Sequence, residues 1–223
     1  MCPGVFVVNF IEVDDVAAII LAAGRSSRMG AFKPLLPFGN KTVIESCIDN
    51  LRAAGVEDIV VVVGHKAEDV SRHLQRRSVT FARNPDPDSA MSVSIALGVA
   101  ALKSNVNTTL ITPVDHPAVP ADLIRTIIEA WRGGARLIQP EFEGRGGHPV
   151  LIDLDYRSEL IRPLEQKSLR EFFARHRSDV LRLPVNSPFV AQDMDTWDDY
   201  LALHQAVFGH KPRDFAEFND SIG

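Results

Sequence analysis

The sequence has 223 residues, of which 45% are hydrophobic and 24% are charged, and these proportions are ordinary for a globular protein. Its 24 basic and 29 acidic residues give a net charge of −5. A broad nucleic-acid-binding surface is therefore not expected, because such a surface needs an excess of positive charge. Two cysteines, Cys2 and Cys47, are too few for the disulfide framework of a secreted domain. At this length we expect one main domain.

The N-terminal residues do not resemble an export signal. Residues 5–11 are apolar, but no basic residue precedes them and acidic residues follow, which reverses the charge order of a signal peptide. No apolar run approaches the roughly 18 residues that a membrane span requires. We therefore expect a cytoplasmic protein without a membrane partner. Residues 1–15 are expected to be an extension, residues 16–208 the domain and residues 209–223 a tail.

Apolar runs alternate with amphipathic segments through the first part of the chain. The runs are nearly continuous, as in strands buried on both faces of a sheet, and they cover residues 16–21, 59–63 and 108–112. Segments with helical spacing lie at residues 43–51, 67–77, 91–102 and 123–131. This alternation predicts an α/β fold with three α/β/α layers and a mostly parallel, Rossmann-like central sheet.

The first of these helices carries clear end signals. Thr42 is followed three residues later by Glu45, the pattern of a capping box at a helix N-terminus, and Gly55 marks the other end. Cys47 falls on the apolar face of this helix, so we expect its thiol to be buried and inert.

The pattern changes after residue 135. Short segments at residues 136–139 and 150–152 predict two strands around the glycine-rich turn Glu143-Gly144-Arg145-Gly146-Gly147. Two helices are expected near residues 157–161 and 168–176, and one more strand at residues 180–185. Thr196 is expected to cap a last helix that ends at about residue 208.

The most informative stretch follows the first predicted strand and reads LAAGRSSRMGAFKP over residues 21–34. Ligands of open α/β sheets bind at the carboxyl ends of the strands, so this loop is well placed for binding. The small run Ala22-Ala23-Gly24 lets backbone amides approach an anion, and Arg28 and Lys33 add two cations suited to a triphosphate. The spacing matches neither a Walker loop nor a dinucleotide-binding fingerprint. The alternative is an ordinary glycine turn with two solvated cations.

The pattern L-A-A-G-x-S-x-R-M-G-x-x-K resembles the nucleotidyltransferases that handle the molybdenum cofactor. The similarity is greatest to the molybdenum cofactor cytidylyltransferases, which transfer CMP from CTP to the terminal phosphate of molybdopterin. It extends from about residue 16 to residue 207, through Asn84-Pro85, Met91-Ser92-Val93-Ser94, Thr112-Pro113-Val114-Asp115-His116-Pro117, Gly147-His148-Pro149-Val150 and Asp193-Met194-Asp195-Thr196. The resemblance implies a GT-A-like nucleotidyltransferase fold, with CTP or another nucleoside triphosphate and molybdopterin as ligands.

The resemblance also implies roles for single positions. The residues that would line the nucleotide are Leu21, Ala22, Ala23, Gly24, Asn84 and Ser94, with Ser94 near the base. The residues that would hold the phosphates and promote transfer are Arg28 and Lys33. Guanylyl-transferring relatives look like L-A-G-G in the first motif, so Ala23 favours cytosine over guanine.

Two aspartates are the expected Mg²⁺ ligands. Asp115 follows the strand at residues 108–112, on the ligand side of the sheet, and the resemblance implies Asp195 as the second carboxylate. Mg²⁺ is commonly held by one or two carboxylates together with substrate phosphates. The alternatives are a turn or helix-cap role for Asp115 and completion of the helix that begins at Thr196 for Asp195. Transfer of this kind needs positioning and charge stabilisation, and an ionised acceptor phosphate needs no strong general base.

His148, in the run Gly146-Gly147-His148-Pro149, is a candidate for shaping the acceptor pocket, and a partly exposed hairpin histidine is the alternative. His116 is expected to be structural or supportive. A set of basic residues either forms a rim for a phosphorylated acceptor or lies on solvated helix faces, which is the default expectation: Arg157, Arg162, Lys167, Arg170, Arg175 and Arg177.

Two departures from the family pattern concern the nucleotide site. Ala90 stands where similar enzymes often have glycine, and Asp86-Pro87-Asp88 is acidic for a loop beside a triphosphate. Two alternative functions stay open. One is nucleotidyl transfer to another phosphorylated acceptor, such as a sugar phosphate or methylerythritol phosphate. The other is a non-catalytic protein that binds a nucleotide or the molybdenum cofactor and delivers the cofactor to a molybdoenzyme or its chaperone.

Overall fold

The computed structural model describes residues 15–162 and 168–212. Cys2, Lys167, nearly all of the expected N-terminal extension and most of the expected tail lie outside the described residues, so the proposed domain limits stay predictions. In the described part, no helix is long and apolar enough to cross a membrane.

The strands in the described residues are β1 (Val16–Ala22), β2 (Pro37–Phe38), β3 (Lys41–Thr42), β4 (Asp58–Val63), β5 (Thr80–Arg83), β6 (Thr108–Pro113), β7 (Leu137–Phe142), β8 (Arg145–Gly146), β9 (Val150–Asp153) and β10 (Val180–Pro184). The helices are α1 (Val43–Ala53), α2 (Ala67–His73), α3 (Met91–Ala100), α4 (Ala121–Arg132), α5 (Arg157–Leu160), α6 (Leu169–Arg175) and α7 (Trp197–Phe208).

The three apolar runs of the sequence form the centre of the sheet, as predicted. Strand β1 is buried along its whole length and pairs in parallel with β4 on one side and β6 on the other. Leu21 lies opposite Val62 on β4 and Pro113 on β6. The loops that follow β1 and β6 therefore leave the sheet side by side.

The remaining strands extend the sheet at both edges. Within the described residues its order is β10-β7-β9-β6-β1-β4-β5, and β8 pairs with β7. Strand β9 runs antiparallel to both of its neighbours, whereas β5 and β10 are parallel to theirs. Strands β2 and β3 form a separate two-stranded ribbon. The prediction of a mostly parallel sheet is confirmed, with β9 as an antiparallel insertion.

Each face of the sheet has its own hydrophobic core, because successive residues of a strand point to opposite faces. Ala18 and Ile20 of β1 belong to a core that includes helices α1, α4 and α7. Ala17 and Ile19 belong to a second core that includes helices α3, α5 and α6. This arrangement confirms the three-layer α/β/α prediction.

Helix α1 begins with the predicted capping box. The amide of Glu45 donates to Thr42 Oγ, and the carboxylate of Glu45 accepts from the amide of Thr42 at 2.9 Å. Gly55, which follows the helix, has a φ of +93° that favours glycine. Cys47 is buried and donates its thiol hydrogen to the carbonyl of Val114, and burial raises the pKa of this thiol. These features agree with the expected inert cysteine.

Strand β5 and the end of helix α2 differ from the sequence prediction, and the short strands β2, β3 and β8 were not predicted. Strand β5 was not predicted because only Ala82 of its four residues is buried, which leaves no hydrophobic alternation. Helix α2 ends at His73 rather than at residue 77. Instead of continuing the helix, Arg77 pairs with Glu45 and Asp49 on helix α1, at 3.1 and 2.6 Å.

The carboxylate of Glu45 gives a testable stability prediction. Hydrogen bonds from His73 and from Thr42, with the pairing to Arg77, hold the pKa of Glu45 well below its usual range. A carboxyl group with a lowered pKa stabilises the fold above its unfolded-state pKa and loses this effect as the pH falls. We expect Glu45→Gln to lower the free energy of unfolding by about 1 kcal/mol at pH 7, with a smaller difference from wild type below about pH 4.

Urea unfolding at a series of pH values measures this effect. Asp122→Asn is the matched control, because Asp122 is 88% exposed and pairs only at the surface with Arg125, and we expect a change within about 0.5 kcal/mol. A Glu45→Gln deficit that is equal at pH 7 and pH 3 would contradict the role given to the charged form.

Candidate active site

The loop after β1 folds back on itself at the carboxyl edge of the sheet. The amides of Met29 and Gly30 both donate to the carbonyl of Ser26 at 3.2 Å, and the amide of Lys33 donates to Ser26 Oγ at 3.2 Å. Gly30 has a φ of +69°, and the side chain of Met29 is buried beneath the loop. These contacts fix the positions from which Arg28 and Lys33 project.

Gly64, directly after β4, supports this loop from the neighbouring strand. The amide of His65 donates to the carbonyl of Ala23 at 3.0 Å. A Cβ at Gly64 would lie only 2.7 Å from the same carbonyl oxygen. The two backbones therefore pack too closely for any side chain at Gly64, a requirement that the sequence analysis missed.

Lys33 lies at the centre of a charged cluster. Its ammonium is 2.8 Å from Asp195 Oδ1 and 3.4 Å from Asp115 Oδ2, and its side chain is only 9% exposed. Arg28 contacts the other carboxylate oxygen of Asp195. Four of the predicted site residues, from three separate parts of the chain, thus meet in one place.

The carboxylate of Asp195 contacts this cluster and does not cap the N-terminus of helix α7. The helix is capped by Thr196, whose hydroxyl accepts from the amide of Asp199 while the Asp199 carboxylate accepts from the amide of Thr196. The hydrogen bond from Lys33, with the positive charges of Lys33 and Arg28, lowers the pKa of Asp195. The carboxylate is therefore ionised at neutral pH.

Asp115 lies in the turn that follows β6. Helix α4 has Pro120 at its cap position, so Asp115 does not cap it. The carboxylate faces Lys33 on one side, and His116 Nε2 lies 3.8 Å from Asp115 Oδ1 on the other. This environment leaves both oxygens of Asp115 close to the centre of the cluster.

A small cavity of about 270 Å³ opens beside the cluster. Lys33 and Asp115 line this cavity, and so do most of the residues expected to line the nucleotide. The expected residues found there are Leu21, Ala22, Ala23, Gly24 and Ser94. Pro87, Ser89 and Met91 also line it and were not selected from the sequence.

Asn84 lies beneath the small cavity rather than on its wall. It is only 2% exposed, and its amide group donates to Ser94 Oγ at 2.9 Å and to Ser89 Oγ at 3.0 Å. The amide oxygen accepts from the backbone of Asp86 at 3.0 Å. Asn84 therefore holds two hydroxyl groups in place at the cavity wall.

The acidic loop beside the small cavity is partly neutralised. Asp88 accepts two hydrogen bonds from Arg25, at 2.6 and 2.8 Å, which join the loop after β1 to the loop before α3. Ala90 has φ −58° and ψ 147°, a conformation open to any residue, and it does not line the cavity. The alanine therefore needs no backbone adjustment, and we find no narrowing of the cavity by its methyl group.

A large cavity of about 600 Å³ lies on the other side of the cluster. Lys33 and Asp115 line both cavities, whereas Arg28, Asp193, Asp195 and His148 line only the large one. The charged cluster therefore separates two chambers and is open to both.

Two histidines, His148 and His116, lie side by side on the wall of the large cavity. Their ring centroids are 5.0 Å apart. Burial lowers the pKa of His148 to about 3 and also lowers the pKa of His116. A Cβ at Gly147 would lie 2.2 Å from the carbonyl oxygen of Val190, and the amide of His148 donates to that oxygen at 2.8 Å. Close packing on Val190 thus explains this glycine and holds His148 at the cavity wall.

The carboxylates of Asp115 and Asp195 suit a metal ion that binds together with a phosphate-bearing ligand. Within residues 15–162 and 168–212, no three His, Cys, Asp or Glu side chains are grouped to hold a metal ion. Asp115 and Asp195 alone supply carboxylate oxygens around one point, the ammonium of Lys33. Two carboxylates fit Mg²⁺, which takes its other ligands from phosphates and water.

Comparison with known proteins agrees with this geometry. The family model described as "MobA-like NTP transferase domain" matches residues 18–180. The chain belongs to this family. It is therefore a nucleotidyltransferase.

The MobA-like chain is similar to characterised proteins along most of its length. It is 27% identical over 191 residues to the molybdenum cofactor cytidylyltransferase of Escherichia coli (strain K12), covering 85% of this chain and 96% of the relative. It is 25% identical over 201 residues to the nicotine blue oxidoreductase of Paenarthrobacter nicotinovorans, covering 86% and 98%. A nucleotidyl transferase structure from Methanothermobacter thermautotroptrophicus superposes with a TM-score of 0.75 at 25% identity, covering 87% and 98%.

One further carboxylate of the MobA-like site was missed from the sequence. Asp193 lines the large cavity together with Asp195, and Met194 between them is fully buried. An extended Asp-Met-Asp run that buries its middle residue places both aspartates on the same face. The alternation of polar and apolar residues in this Asp-Met-Asp run could therefore have identified Asp193 from the sequence.

Asn84 gives a test of the small cavity. We expect Asn84→Ala to raise the KM for the nucleoside triphosphate about three- to tenfold with a smaller effect on kcat, because two hydroxyl groups lose the partner that orients them. Asn107→Ala is the matched control, since Asn107 bonds Asp15 at the opposite end of the sheet. Steady-state kinetics decide the point, and equal KM values in the two variants would show that Asn84 does not act on the nucleotide site.

Proposed function

We propose that the protein transfers CMP from CTP to the terminal phosphate of molybdopterin, using Mg²⁺ and releasing pyrophosphate. The observation that carries this proposal is that Lys33 and Asp115 line both cavities. A nucleotide in the small cavity and an acceptor in the large cavity would bring their phosphates together at these two residues. The identity of 27% to the cytidylyltransferase of Escherichia coli supports the pair of substrates.

The proposed reaction is a displacement at the α-phosphorus of CTP. An oxygen of the acceptor phosphate forms a bond to this phosphorus, and the bond from the phosphorus to the bridging oxygen of pyrophosphate breaks. Pyrophosphate leaves with the electron pair. Because a phosphate monoester has its second pKa near 6, the acceptor oxygen is already ionised at neutral pH and needs no general base.

Lys33 and Arg28 would stabilise the charge that develops on the phosphates. Both cations contact Asp195 in the structure. The side chain of Arg28 is 75% exposed and free to turn towards pyrophosphate, whereas Lys33 is confined between the two chambers. Donors of this kind typically contribute about 10²–10³ to kcat.

Asp115 and Asp195 would hold the metal ion, and Mg²⁺ bound there would neutralise part of the triphosphate charge. Both aspartates lie close to Lys33, and the cluster has equal numbers of acidic and basic side chains when Arg28 is counted.

In the large cavity, the acceptor would contact uncharged histidine side chains. Since the pKa of His148 is lowered to about 3, its ring is uncharged at physiological pH. His148 would then recognise the acceptor by hydrogen bonding and shape rather than by charge. On the nucleotide side, Ala23 and Ser94 line the small cavity, where we place the cytosine base.

Pyrophosphate release from CTP, GTP, ATP and UTP, with and without molybdopterin, tests the proposed function. We expect release that is selective for CTP, requires molybdopterin, stops with EDTA and returns with Mg²⁺. Asp115→Asn should lower kcat more than about 100-fold because it removes a metal ligand. Asp198→Asn, an exposed aspartate on helix α7, is the matched control and should keep full activity.

The other outcomes separate the alternatives. Release from CTP that requires a sugar phosphate or methylerythritol phosphate instead would replace molybdopterin as the acceptor. Binding of CTP without release with any of these acceptors would favour a non-catalytic carrier of the cofactor.

A further inference from the structure

A groove continues from the large cavity, past His148, towards the edge of the sheet. It has a volume of about 670 Å³ and lies between helix α6 and strand β10. Gly146 and His148 line both the groove and the large cavity. A molecule with its phosphate at the charged cluster can therefore extend past His148 into this groove, which the proposed reaction does not use.

Three arginines line the groove and no carboxylate does, among the residues that the structure describes. The side chains of Arg170 and Arg177 make no hydrogen bond or ion pair within that part of the chain, and Arg182 pairs with Glu141 at 2.9 Å. Unneutralised like charges around one groove repel each other, so an anion there would be favourable.

Other arginines of the same region are engaged elsewhere. Arg175, also on helix α6, lies 4.0 Å from Glu159, and Arg157 donates to the carbonyl of Val99 at 3.0 Å. Neither lines the groove. The basic rim that the sequence offered as one reading is thus divided: among its members that the structure describes, Arg170 and Arg177 line the groove.

The floor of the groove is apolar. Val150, Leu169 and Phe173 are buried side chains that line it, and the amide of Gln139 packs against Gly146 at its inner end. Guanidinium groups above an apolar floor suit a ligand with a flat or apolar body and a negatively charged substituent.

We propose that the groove binds a part of the acceptor other than its reacting phosphate, and that this part carries a second anionic group that pairs with Arg170 and Arg177. The inference rests on the proposed function, because it places the reacting phosphate at Lys33 and Asp115. The acceptor class is then a phosphate monoester with a second anionic group on a largely planar body. The dithiolene of molybdopterin is such a group.

Kinetics with molybdopterin test the proposal. We expect the double variant Arg170→Ser/Arg177→Ser to raise the KM for molybdopterin at least tenfold, because charged hydrogen bonds are lost. The KM for CTP and the kcat at saturating acceptor should stay within about twofold, since neither arginine contacts the charged cluster. Arg132→Ser/Arg175→Ser removes the same charge outside the groove and should behave as wild type. An unchanged KM for molybdopterin in the groove variant would overturn the proposal.

A second measurement distinguishes an error in the proposed anion site of the groove from an error in the proposed function. Phthalate, a planar dianion without phosphate, serves as the probe in isothermal titration calorimetry. We expect wild type and the Arg132→Ser/Arg175→Ser control to bind phthalate, and the groove variant to lose binding about tenfold or more. If wild type releases no pyrophosphate with molybdopterin but shows this pattern, the proposed function fails and the anion site stands. Equal phthalate affinity in all three proteins, or no binding to any of them, would overturn the proposed anion site in the groove.

Discussion

The arrangement of the site depends on one buried cation. The ammonium of Lys33 has little access to water, and burying a charged group is costly unless groups of opposite charge lie beside it. Asp115 and Asp195 supply them from the turn after β6 and from the residue before the cap of α7. This requirement ties the loop after β1 to the start of helix α7. It also sets the boundary between the two cavities, because the same lysine lines both.

The charge balance of the cluster explains how such a site can work without a catalytic dyad or triad. Two cations and two carboxylates neutralise each other before substrates arrive. In the proposed reaction, substrate phosphates would offer Lys33 and Arg28 new anionic partners, and the released carboxylates would then be available to a divalent cation. Preorganised charges of this kind need little reorganisation during transfer, which is the main requirement of phosphoryl-type chemistry.

The sequence predicted the central strands and the charged cluster well, because both leave strong local signals. Apolar runs marked β1, β4 and β6, and the first motif marked Arg28 and Lys33. Strand β5 left no such signal, since it lies at a sheet edge with one buried residue. Gly64 and Gly147 are required by backbone approaches across the fold, at Ala23 and Val190, which no local pattern records. Asn84 was assigned to the nucleotide, but its contacts place it beneath the cavity, as a support for Ser89 and Ser94.

The central claim is that Lys33 and Asp195 act as one coupled unit. A double-mutant cycle of Lys33→Met and Asp195→Asn, measured as the free energy of unfolding in urea, tests it most directly. We expect each single variant to be less stable by about 2–3 kcal/mol, since each leaves a partner charge unpaired in a partly buried site. The double variant should be more stable than additivity predicts, by about 1 kcal/mol or more. Effects that add to within about 0.5 kcal/mol would show two independent side chains and contradict the account.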